Sequence, residues 1–178
     1  MKIILVGVSC VGKSTIGKIL AEKMGCKFFD FDFEIENYFK SHISILKRDF
    51  ITEHSFRKKA SIVLTRILDN NEDNFFIAMP PSGLMDYYWR IIKKDGNLIT
   101  IALKDKAINI FKHISFYDDY SRPIEIKIAK ENEKKYLKDI SLDIEYFGRT
   151  YKRAKIKYDI CGKSALQAAD DLYELLSG

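Results

Sequence analysis

Five short apolar runs punctuate the chain, at residues 2–6, 27–31, 74–79, 97–103 and 156–160, and the stretches between them repeat their apolar residues at helical spacing. Runs of that length suit strands buried on both faces, and alternation with helices predicts parallel strands joined by crossovers, an α/β sandwich. The first helix is expected to follow the turn at 7–15 and to stop near Gly25, with Ile16, Ile19 and Leu20 inward. Phe56, Ala60, Val63, Leu64, Ile67 and Leu68, spaced i, i+4, i+7, i+8, i+11 and i+12, predict a helix from about 53 to 69. Further helices are expected at 84–94, 105–112, 127–147 and 164–177, the longest with Tyr136, Leu137, Ile140, Ile144 and Phe147 on one side. The least patterned segment, 113–123, reads as a mobile loop, because periodic structure resumes beyond it.

Composition narrows this little. At 178 residues, 47% apolar and 31% charged, the chain suits one domain spanning 1–178, with a mobile lid around 113–124. No window is long and apolar enough to span a bilayer, and the N-terminal sequence enters a strand without a signal-like stretch, so a cytoplasmic protein without a membrane partner is expected. Cys10, Cys26 and Cys161 are scattered and lack metal-ligand spacing, as do the three histidines, which predicts reduced thiols and no zinc. The net charge of +5 is spread among acids rather than gathered in a patch. No nucleic-acid partner and a monomeric chain are therefore expected.

The turn after the first run changes the picture. "GVSCVGKST" carries Gly7, Gly12, Lys13 and Ser14 in the pattern G-x-x-x-x-G-K-[ST], with a strand before it and an amphipathic helix after. Glycines let the backbone turn several N–H groups onto an anion, the helix dipole adds positive potential, the lysine reaches terminal phosphates, and the serine can ligand magnesium. Gly7, Cys10, Val11, Gly12, Lys13, Ser14 and Thr15 are thus expected to bind ATP, with Mg2+ at Ser14. A second "GKS" at 162–164 serves as a control: Lys157 stands where the first glycine should be, so that copy is expected to be only a loop leading into the last helix.

The second run ends "FFDFDFEIE", placing Asp30 and Asp32 at the carboxyl end of a strand, the edge where open parallel sheets bind ligands. One carboxylate there can hold magnesium through water, and another can orient or deprotonate an attacking hydroxyl. Alone, D-x-D fits helix capping as well.

Together these residues carry a resemblance. The loop running into "STIGKILAEKMGCKFFDFDFEIE", then "SILKRDFITEHSFRKKA", then Arg122-Pro123, then Tyr151 before a late strand, is similar to shikimate kinase over nearly the whole chain. The resemblance implies a three-layer sandwich with a five-stranded parallel sheet, ATP and Mg2+ as cofactors, a closing lid, and a place in aromatic amino acid biosynthesis. It makes Asp30 a magnesium group and Asp32 the residue that positions the acceptor hydroxyl and takes its proton. Arg57 and Ser82 become ligands of a small anionic acceptor, and Arg122 a lid contact to the transferring phosphates, so that Lys13, Asp32 and Arg122 form the catalytic set.

Several positions depart from the family's pattern. Pro80, Pro81 and Ser82 stand where three glycines are expected, and proline offers no N–H; two lost donors to a charged group amount to roughly 3–6 kcal/mol. Ala60 replaces a glutamate expected to pair with Arg57, and Phe147 stands where a second substrate arginine is expected, with Arg149 nearby. The lid is longer and contains "FYDDY". The expected activity is phosphoryl transfer from ATP to a hydroxyl of shikimate or a similar small anion. Phosphorylation of another sugar acid, a polyol or a nucleoside is the alternative, as is a regulatory ATP-binding module without chemistry.

Overall fold

The computed structural model describes residues 1–71 and 74–178. Five strands form one sheet, β1 (Lys2–Val6), β2 (Lys27–Asp30), β3 (Phe75–Ala78), β4 (Leu98–Lys104) and, after a separate hairpin of β5 (Phe116–Tyr117) and β6 (Pro123–Ile124), β7 (Ile156–Asp159). Their order across the sheet is β2-β3-β1-β4-β7, every pairing parallel, with Ile4 opposite Ile77 on one side and Thr100 on the other. Central β1 explains its own composition: Ile3 to Val6 are fully buried, since helices cover both faces of a parallel sheet.

The helices are α1 (Lys13–Lys23), α2 (Phe31–Phe39), α3 (Ile43–Arg48), α4 (Glu53–Asn70), α5 (Asp86–Ile92), α6 (Ala107–Phe111), α7 (Lys130–Tyr151) and α8 (Ala165–Ser177). On α1, Ile16, Leu20 and Ala21 face the core, and Gly17 lets the helix lie close, because a Cβ there would sit 2.6 Å from Phe28 and 2.9 Å from Leu5. Thr52 caps α4 by accepting from Ser55 N–H at 3.1 Å, and α4 buries Phe56, Ala60, Val63, Leu64 and Ile67 as its spacing requires.

Four expectations are corrected. The second strand ends at Asp30, and α2 begins at once, so Asp32 lies in the first turn of a helix rather than on a strand. Two helices, α2 and α3, occupy 31–48, where only a helix start after Asp32 was legible. The segment 113–123 is not wholly irregular: Phe116 pairs with Ile124 and Tyr117 with Pro123 in a short antiparallel hairpin. The long helix also starts at Lys130 and continues to Tyr151, whose ring is buried at its end.

Candidate active site

Gly7 ends the central strand and cannot carry a side chain, because a Cβ would lie 2.8 Å from the Leu103 carbonyl oxygen of β4. Gly12, at φ 99, occupies the left-handed region at the N-cap of α1, and no side chain caps that helix. Its first-turn N–H groups are therefore left for an anion at the positive end of the helix dipole. Cys10 also adopts a left-handed conformation, at φ 59, and helps curl the loop.

Lys13 folds back over this loop, donating from Nζ to the carbonyls of Gly7 at 3.0 Å and Val8 at 2.8 Å. Burial lowers its pKa to about 8, although Asp32, Cys10 and Asp30 pull the other way. Beside it, Ser14 Oγ donates to Asp30 Oδ2 at 2.6 Å. Asp30 occupies the N-cap of α2, yet its carboxylate makes no capping bond and turns to Ser14 instead. Asp32 reaches the water of the cleft but is walled in by protein. Desolvation, reinforced by Asp30 and opposed by Lys13 and Lys47, pushes its carboxyl up to about 6. An acid near 6 beside an ammonium near 8 is a pair able to receive a proton and to hold a phosphate near neutral pH.

These groups share one cavity of about 980 Å3, lined by the loop from Ser9 to Ile16, by Asp30, Asp32 and Glu36, by Pro80 and Pro81, and by lid residues 117–121. Cys10, Val11, Gly12, Lys13, Ser14 and Thr15 all face it, and Gly7 lies buried behind them. On the far side it is bounded by Asp105, Ile110, His113, Ile160 and Lys163. The second GKS is a turn between β7 and α8, where Ser164 and Gln167 form a reciprocal cap, and Lys163, paired with Asp171, nonetheless borders the cavity. Ser14 and Asp30 offer hard oxygen donors that fit magnesium. Among the described residues no three or more His, Cys, Asp or Glu side chains are grouped to hold a metal.

Other expected site residues lie outside the cavity lining. Arg57 has not lost its partner with the glutamate missing at 60. Its Nε and Nη2 meet Asp86 Oδ2 at 2.9 and 2.7 Å, so a carboxylate from α5 substitutes for one on α4. Tyr88 of α5 is buried, and its hydroxyl is kept neutral first by desolvation and next by the charge of Asp32, against that of Arg57. Ser82 is absent from the cavity lining, and its backbone carbonyl accepts from Met85 N–H. Arg122 is directed outward, 70% exposed, chelated by Asp118 through Nε and Nη2 at 2.8 Å each and stacked over Tyr120. Phe147 stacks on Tyr151, and Arg149 extends to solvent beside Glu145. The Tyr151 hydroxyl donates to the Pro81 carbonyl at 2.9 Å, fixing the proline turn against α7.

Residues missed in the sequence complete the lid contacts. Glu36, one turn beyond Asp32 on α2, accepts from Ile43 N–H at 2.8 Å and from Ser121 Oγ of the hairpin. Asp119 receives Ser44 Oγ at its carbonyl and Arg48 at its carboxylate, and His42 packs edge-on against Tyr120. The spacing of Asp32 and Glu36, i and i+4, was the available signal for Glu36; the lid partners, more than 70 residues away, left none.

A glycine-rich loop capping a helix, seated on the central strand of a parallel sheet with carboxylates at the same edge, defines a P-loop kinase. The family model for shikimate kinase matches residues 9–156. The chain belongs to the shikimate kinase family. A shikimate kinase from Azobacteroides pseudotrichonymphae is 39% identical over 138 residues, covering 76% of each chain. Among solved structures, a shikimate kinase from Bacteroides thetaiotaomicron superposes with a TM-score of 0.78 at 19% identity, covering 100% of this chain and 99% of its own. One from Acinetobacter baumannii, in complex with shikimate, gives 0.74 at 22% identity, covering 99% and 92%. These two likenesses speak to the fold. By its family the protein is a phosphotransferase acting on a hydroxyl group, with ATP as donor.

Proposed function

We propose that the protein transfers the terminal phosphoryl group of ATP to a hydroxyl of shikimate, within the cavity between the glycine-rich loop and α2. The observation that carries this is that Asp32, Lys13, Ser14 and Asp30 line one cavity at the mouth of the glycine-rich loop, with Ser14 bonded to Asp30, the Asp32 carboxyl raised to about 6 and the Lys13 ammonium lowered to about 8. Asp32 orients the acceptor hydroxyl and receives its proton as the oxygen attacks the γ-phosphorus, and ADP departs with the bridging electrons. Residues Gly7 to Thr15 bind the polyphosphate through backbone N–H groups, and Lys13 leaves its loop carbonyls for the phosphates. Magnesium, held by Ser14 Oγ and through water by Asp30, supplies charge neutralisation at the phosphates when bound.

Arg57 meets the acceptor's carboxylate, assisted by the neighbourhood of Tyr88. The lid is mobile, and its rearrangement over ATP exchanges the Asp118 partner of Arg122 for phosphate oxygens. The protein works as a cytoplasmic monomer. Among the described residues no helix is long and apolar enough to cross a membrane. A coupled assay of ADP release tests the activity: turnover is expected only with shikimate and magnesium present, and equal rates with and without shikimate would reject the acceptor. The turn at Pro80 and Pro81, which lines the cavity without N–H groups to offer, favours a second reading in which another hydroxylated acid is the better acceptor; the same assay run over a panel of such acids decides it.

A further inference from the structure

Arg57 is almost enclosed, its side chain 12% exposed, and among the described residues its guanidinium meets one oxygen at bonding distance, Asp86 Oδ2. Glu53 stands 3.9 Å from Nη1, too far for a hydrogen bond. A guanidinium has five N–H donors in a rigid fork. Asp86 uses the edge formed by Nε and Nη2, so one N–H of Nη1 and the second of Nη2 remain along the adjacent edge, which can bind a second carboxylate in bidentate fashion.

Asp86 itself sits at a cost. Its φ of 43 lies in the left-handed region, where glycine is at ease and most residues are strained, although aspartate tolerates it better than most. Position 60 on the arginine's own helix is a fully buried alanine and provides no carboxylate. His54 Nδ1 lies 3.3 Å from the same Oδ2 oxygen and steadies it. Burial alone would raise the Asp86 pKa, but the bonds and charge of Arg57, joined by His54, outweigh it and hold the carboxyl below the usual range.

We propose that Asp86 is a positioning residue for the acceptor: it holds Arg57 by one edge so that the other edge is presented, preformed, to a carboxylate on the substrate. This rests on the reading of shikimate as acceptor and of Arg57 as its ligand. The role has moved from α4 to the first residue of α5, the helix that also carries Tyr88. A fixed guanidinium loses less freedom on binding than one free to swing, so the gain appears in acceptor affinity rather than in the chemical step.

The test compares Asp86→Gly and Asp86→Asn with the wild-type chain. Glycine removes the carboxylate while relieving the backbone; asparagine keeps one acceptor oxygen and loses the charge. For Asp86→Gly the KM for shikimate is expected to rise at least about tenfold, with the KM for ATP within about twofold. Asp86→Asn should fall between. The Arg57 Nε–H resonance, assigned by its loss in Arg57→Lys, should be exchange-protected in the wild-type chain and unprotected in Asp86→Gly, a readout needing no substrate. An unchanged shikimate KM in Asp86→Gly overturns the proposal, as does a parallel loss of ATP affinity and Tm, which would mark a merely structural residue. Absence of shikimate-dependent turnover in the wild-type chain instead overturns the acceptor reading, and the proposal with it.

Discussion

Ser14 Oγ and Asp30 Oδ2 stand 2.6 Å apart, joining the first turn of α1 to the end of β2. The bond explains why Asp30, sitting at a helix N-cap, does not cap it, and it aligns two hard oxygen ligands beside the phosphate loop. Ser14→Ala and Asp30→Ala should each raise the magnesium concentration needed for half-maximal turnover by about 10- to 100-fold. Binding of metal-free ATP, measured by calorimetry, should change far less. A loss of metal-free binding equal to the loss of activity would count against the metal role.

In the proposed mechanism Asp32 and Lys13 set the pH dependence. The base must be ionised and the lysine charged, so kcat/KM should rise with pH through about 6 and fall through about 8. Bound ATP favours the ammonium, so the alkaline limb of kcat should lie at higher pH than that of kcat/KM. Asp32→Asn should lower kcat by about 100- to 10,000-fold.

The same raised acidity has a consequence for stability. A carboxyl whose folded pKa exceeds its unfolded value of 3.8 binds more protons when folded, so its contribution is present below 3.8 and is lost as pH rises through about 6. Asp32→Asn should therefore gain Tm over the wild-type chain as pH is raised from 4 to about 7, in thermal melts at matched ionic strength. A Tm difference independent of pH would contradict it.

At the lid, burial separates strong contacts from weak ones. Arg48 and Asp119 are 63% and 61% exposed, so Asp119→Ala should change the acceptor KM by no more than about fivefold, the ceiling for a surface pair near 1 kcal/mol. Glu36 is 17% exposed and joins α2, α3 and the hairpin. Glu36→Gln should raise that KM more than Asp119→Ala does and should speed proteolytic cleavage within 116–124. The reverse order would refute the assignment of Glu36 as the main tie.

Tyr151→Phe removes the donor to the Pro81 carbonyl without opening a cavity. A loss of about 1 kcal/mol is expected in urea denaturation, with a Tm lower by about 2–4 °C. A variant as stable as the wild-type chain would mean that water replaces the phenol.

How much of this was legible in the sequence follows from separation along the chain. The strands could be read because sheet residues such as Ile3 to Val6 and Phe75 to Ala78 are buried on both faces, leaving unbroken apolar runs. The phosphate loop could be read because its chemistry needs glycines at fixed spacing. Helix α3 has six residues and none is fully buried, so no periodic stripe marks it. Arg57 could be found only through the resemblance, and its tie to Asp86, 29 residues away on another helix, depends on how α4 meets α5. Arg122 was legible as a lid residue, but Asp118, four positions earlier, competes for it, and nothing in the spacing says which partner prevails.

The strand order β2-β3-β1-β4-β7 puts the phosphate loop on the midline. One bank of connections, after β2 and β3, brings Asp30, Asp32 and the two prolines; the other, after β4 and β7, brings Asp105, His113 and Lys163. Because no strand belongs to both banks, residues on the two sides of the cavity can change independently of each other. Of the residues that depart from the expected pattern, 60, 80 and 81 belong to the first bank, and Phe147 stacks on Tyr151, whose hydroxyl meets the Pro81 carbonyl of that bank.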